Sequence, residues 1–125
     1  MSKHNLMIGR GVLSPANLGT ETLTILRGRM KDLNDLTVWV FPFTGQPVTC
    51  DWRAAGERAD PKAALERTGA INHASVAGIT CLADQWTPMH LSGGEVALLG
   101  DLLIDITAGA TAPTDIHVIV MGNTG

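Results

Sequence analysis

The chain has 125 residues, 45% of them apolar and 17% charged, with a net charge of −3 and a pI near 5.7. The acidic balance argues against sequence-independent nucleic-acid binding, which runs on phosphate neutralisation by Lys and Arg. No run reaches the roughly 18 apolar residues of a membrane-spanning helix.

Charge below the usual share of about 25%, without an apolar excess, means that Thr, Gly, Asn and Ser fill the polar quota. These are turn and strand-surface residues, so the composition favours an all-β fold. The length suits one domain, and residues 1–125 are read as a single β-sandwich. Met1–Asn5 lacks the charged-then-apolar layout of a signal peptide, so the protein is expected to be made and used without export. Cys50 and Cys81 fit no metal-ligand spacing and are expected to be two free buried thiols.

Leu6–Leu13 is a short apolar segment broken by Gly9 and Gly11, and Ser14-Pro15-Ala16-Asn17 reads as a turn. Thr20–Arg29 alternates Leu23, Ile25 and Arg27 against Thr22, Thr24 and Leu26, the pattern of a half-buried strand with a basic end. Thr37–Phe43 is β-branched and aromatic throughout. Period two puts Trp39, Phe41 and Phe43 on one face and Val38, Val40 and Pro42 on the other. Pro42 has no N–H for a ladder, so this strand lies at an edge or ends there. Val48, Cys50 and Trp52 alternate inward on the next strand.

Asp60–Thr68 is predicted to be a short helix, with Asp60 as cap, Pro61 in the first turn and Gly69 just past the end. Ala74–Ala83 and Trp86–Leu91 read as strands, the second interrupted by Pro88. Gly93-Gly94 is a turn. Glu95–Thr107 fits either a helical stripe or two strands, and Gly100 with the later alternation favours strands. Asp115–Met121 closes the chain as a strand apolar on both faces except for His117. Seven to nine short strands at regular spacing predict a sandwich or jelly-roll-like domain.

No catalytic motif stands out. Gly9-Arg10-Gly11 lacks the remaining features of a phosphate loop, and no nucleophile elbow is present. The four histidines, His4, His73, His90 and His117, lack metal-ligand spacing. Asp101 and Asp105 share a strand face roughly 13 Å apart, too far for a carboxylate pair. No enzyme, cofactor or metal is therefore expected. The aromatics Trp39, Phe41 and Phe43 form either part of the core or a stacking face for unpaired bases, and their small number favours the core.

Charge is split along the chain. All nine Lys and Arg lie in the first 67 residues, and none lies in the last 58. Edge strands usually carry lysine or another guard against sticking, so strands in the lysine-free half are expected at sheet centres or under a subunit contact. Arg10, Arg27, Arg29 and Lys31 become the candidate surface for an acidic neighbour. The Gly93-Gly94 turn, the strands Val96–Leu99 and Leu102–Thr107, and the closing Ile116–Met121 strand give a pattern that resembles the small β-sandwich decoration or cement proteins of tailed-phage capsids. That resemblance implies a trimer-like module seated on a capsid protein in the virion, without catalysis. The rival expectation is a small β-barrel holding single-stranded nucleic acid or a small ligand, acting in the cytoplasm.

Overall fold

The computed structural model describes residues 4–30, 33–43, 45–55, 78–91 and 101–124. They form strands β1 (His4–Leu13), β2 (Thr20–Ile25), β3 (Asp35–Pro42), β4 (Val48–Ala55), β5 (Ile79–Cys81), β6 (Thr87–Leu91), β7 (Asp101–Ala108) and β8 (Ile116–Thr124). The strands make two four-stranded antiparallel sheets, a front sheet ordered β1-β8-β3-β6 and a back sheet ordered β2-β7-β4-β5.

The pairing has a simple logic. β1 pairs with β8, β2 with β7, β3 with β6 and β4 with β5, which is one long antiparallel hairpin whose tip lies between β4 and β5. Rolling that hairpin brings β3 against β8 and β4 against β7. The result is an eight-stranded jelly roll, two Greek keys closed into a sandwich. The expected fold class holds. The barrel of the rival reading does not, because the pairing closes into two separate sheets.

Alternation places one side of every long strand in the core. Leu36, Val38, Val40 and Pro42 of β3 face Leu102, Ile104 and Ile106 of β7, with Val48, Cys50 and Trp52 of β4 and Ile116, Val118 and Val120 of β8 completing the layer. Trp52 is 1% exposed and is the largest fully buried side chain. Pro42 ends β3, as its missing N–H requires.

β1 runs on through Gly9 and Gly11 because β2 crosses closely beneath it. A Cβ at Gly9 would overlap Ile25 Cδ1, and the register shift between Met7 and Gly9 marks a bulge there. Gly78, at φ 83°, leads into β5 in the left-handed region, where a Cβ would lie 3.0 Å from the Cys50 carbonyl oxygen. Gly78→Ala is expected to cost about 1–2 kcal/mol from backbone strain alone, read as a lowered urea midpoint.

Several local expectations change. β2 stops at Ile25, and Arg27–Met30 forms a 3-10 turn that buries Met30. The turn lets the chain cross from the back sheet to the front, which a strand continuing to Arg29 could not do. Asp101–Ala108 is a strand, as the later alternation indicates. The predicted helix Asp60–Thr68, the Gly93-Gly94 turn, residues 95–100 and the first part of the Ala74–Ala83 strand lie outside the described residues.

The lysine-free half also reads differently. β7 lies between β2 and β4, and β8 between β1 and β3, so the backbone edges of both are fully paired and need no charged guard. β5 and β6 are the edge strands of that half. One is three residues long and the other carries Pro88, and short edges and proline are themselves protection against strand addition. Missing lysine is therefore not by itself a sign of association.

Candidate interaction face

The two outer faces of the sandwich differ in chemistry. On the back sheet Thr20, Thr22 and Thr24 of β2, Asp105 and Thr107 of β7, and Thr49, Asp51 and Arg53 of β4 point outward. They bond to one another: Thr20 Oγ1 and Thr107 Oγ1 are 2.8 Å apart, Thr22 Oγ1 donates to Asp105 at 2.7 Å, and the Arg53 guanidinium donates to both Asp105 oxygens at 2.5 and 3.1 Å. This is a solvated polar surface.

The front sheet presents the opposite. Its register aligns Met7 with Met121 and Thr37, Arg10 with Ile119 and Trp39, and Val12 with His117 and Phe41. Met7 is 55% exposed, Val12 57%, Trp86 43%, Phe43 38% and Trp39 36%. Phe41 stacks against Phe43 at 4.6 Å and against Trp86 at 5.2 Å, and Phe43 meets the His117 ring at 4.8 Å. Trp39, Phe41 and Phe43 thus share a face as the period predicted. It is the outer one, and the core reading of these aromatics is corrected. The inward positions of β3 were already taken by Leu36, Val38, Val40 and Pro42, which fill the interior without them.

No family model matches the sequence, and no curated protein matches it. Among solved structures it is similar to a prophage-derived protein, YomS of SPBc2, at 12% identity over 98% of this chain and 94% of that one, with a TM-score of 0.49. It is also similar to a subunit of Bacillus endospore appendages, described as disulfide-linked pili, at 11% identity over 98% and 84% of the two chains, with a TM-score of 0.46. The coat protein of Tobacco streak virus gives 8% identity over 96% and 85%, with a TM-score of 0.47. Likeness at this level carries nothing about activity, and the face must be read from its own chemistry.

Of the basic candidates among the described residues, Arg10 and Arg29 share a groove. Arg10 lies on the front face, and with Arg29 it also borders a groove of about 270 Å³ along the β1–β2 side, lined by Leu23, Ile25 and Leu26. The Arg29 guanidinium donates to the Ile8 carbonyl at 3.2 Å, capping an edge group of β1. Arg27 donates its backbone N–H to Asp101 Oδ1 at 2.9 Å, and Lys31 is outside the described residues. The sequence split becomes a polarity along the strands instead. The four connections at one end, residues 14–19, 43–47, 82–86 and 109–115, contain no Lys or Arg. Arg27 and Arg29, between β2 and β3, are at the other end. A stacking face for nucleic acid gains little, since Arg10 is the cation among the described residues in the aromatic rows, and Asp35, Asp84 and Asp115 border them.

Among the described residues no group of three or more His, Cys, Asp and Glu comes together as a metal site. Cys50 and Cys81 are free and buried. The neighbouring Cys81 thiol, with burial added, pushes the Cys50 pKa well above the ordinary 9.0. An unfolded Cys50 ionises as pH rises past that value while the folded one keeps its proton, so the native state then binds more protons and stability falls with rising pH. The urea midpoint is expected to decline above pH 9.0 in the wild type, and to decline less when both cysteines are replaced by alanine.

Sequence reasoning found the aromatics but missed Met7, Val12, Ile119, Met121 and Trp86. The two-sided apolarity of the closing strand was the available signal. Its meaning depended on which strands lie beside β8.

Proposed function

We propose that the chain is a non-enzymatic structural protein that assembles through the outer face of its front sheet. In this reading residues 1–125 act as one sandwich domain, a homo-oligomer and virion component of the decoration or cement kind that its sequence pattern resembles. The observation that carries the reading is the contrast between the two outer faces. A threonine and aspartate surface is satisfied by water and by itself, whereas Met7, Val12, Phe43 and Trp86 stand exposed together on the other side. Contiguous apolar patches of this kind mark interaction surfaces, and Trp, Phe and Met are enriched in interface cores. Trimeric state and a capsid protein partner follow from the resemblance.

Sedimentation velocity over a range of concentrations tests this. The wild type is expected as a discrete oligomer. A Val12→Glu/Trp86→Glu variant should sediment as a monomer, and a back-face Thr24→Glu variant should behave as the wild type. A wild type that stays monomeric at every concentration overturns the reading.

A further inference from the structure

At the end of the front face where Asn5, Asn123 and Asp35 stand in register across β1, β8 and β3, there is a depression of about 320 Å³ lined by these three residues with Thr37, Trp39 and Met121. Trp39 forms an exposed aromatic wall. The amide oxygen of Asn123 is buried and has no hydrogen-bond partner among the described residues. Thr37 is held by the His90 ring at 3.1 Å. Among the described residues no Lys or Arg lines the depression, and Arg10 opens onto the neighbouring one beside Val12 and His117.

We propose that this depression binds the neutral pyranose ring of a glycan. A sugar ring has an apolar C–H face and a rim of hydroxyl donors. The Trp39 ring accepts the first, as aromatic platforms accept flat apolar partners. The second meets the Asp35 carboxylate, which accepts, and the Asn5 and Asn123 side-chain amides, which accept through oxygen and donate through nitrogen. Anionic ligands are repelled by Asp35, with no cation among the described lining residues to offset it. This goes beyond assembly and does not rest on it: Trp39 and Met121 belong to the same front face, but the site lies at its Asn5 and Asn123 end, and Val12, whose substitution tests assembly, lies toward the other, beside His117 and Phe41.

Amide and indole NMR spectra of the full chain, titrated with the methyl glycosides of glucose, galactose, mannose and N-acetylglucosamine, test it. At least one is expected to shift the Trp39 indole and the Asn5 and Asn123 side-chain amides saturably, leaving Trp52 unmoved. Trp39→Ala should weaken binding about tenfold or more, the loss expected for one stacked ring. Asp35→Asn and Asn123→Ala should weaken it as well, with the spectrum of each variant reporting that it is folded. The proposal is overturned if no glycoside moves these resonances up to its solubility, or if the shifts survive unchanged in all three variants. It is equally overturned if tetramethylammonium moves them and the glycosides do not, because the site would then be an aromatic and carboxylate pocket for cations. A monomeric wild type that still binds glycosides would refute the assembly reading and leave this one standing.

Discussion

Trp52→Ala is expected to cost about 3–5 kcal/mol, the range for emptying a buried aromatic site. Domains of this size have only about 5–15 kcal/mol in total, so the variant should be largely unfolded at temperatures the wild type survives. The size of the effect comes from position. Trp52 is 1% exposed and lies on β4, which pairs with β7 on one side and β5 on the other. Its indole therefore fills the middle of the layer between the sheets, against strands that cannot collapse inward without breaking ladders on both sides. Trp86→Ala is the comparison, since Trp86 is 43% exposed and its loss should leave monomer stability almost unchanged. Thermal unfolding of the two variants, followed by circular dichroism, separates them. Equal melting points would mean that the inward assignment of β4 is wrong.

The second large effect is on association. Val12→Glu/Trp86→Glu places two carboxylates on a face whose exposed residues are otherwise mostly apolar. Truncating a central aromatic anchor in an interface costs about 2 kcal/mol or more, and a buried unpaired charge adds to that. Two such changes should raise the dissociation constant by roughly a thousandfold, since each 1.4 kcal/mol is tenfold. Both side chains are more than two-fifths exposed, so the fold itself should change by less than about 1 kcal/mol. Thr24→Glu adds one charge to the back face, where Arg53 and Asp105 already stand among hydroxyls. If it dissociates the oligomer as well as the front-face pair does, the contact is not the front sheet.

The strands were legible because period two is a local property. Val38 and Val40 against Trp39 and Phe41, or Val48, Cys50 and Trp52 in alternation, declare a pleat whatever the rest of the chain does. The all-β class and the sandwich followed from strand number and spacing. Which face of a strand is the inner one is not local. Thr37–Phe43 is apolar on both sides, and only its partners decide. β8 on one side and β6 on the other, with β7 across the core, chose Val38 and Val40 for the interior and left Trp39 and Phe41 outside. The same holds for β1 and β8. Met7 meets Met121, and Arg10 meets Ile119, only through a register set between residues more than a hundred positions apart.

The sequence by itself determined the class of fold, the alternation within each strand and the uneven placement of charge. Tertiary structure alone decided that the lysine-free strands β7 and β8 are sheet centres, whose backbone groups are paired on both sides and need no guard. It also decided that Arg10 and Arg29 border one groove, and that Asn5, Asp35 and Asn123 meet. The physical reason is that hydrogen-bonded pairing between distant strands sets the neighbours, and neighbours set burial. A period read along one strand carries no information about which strand will lie beside it.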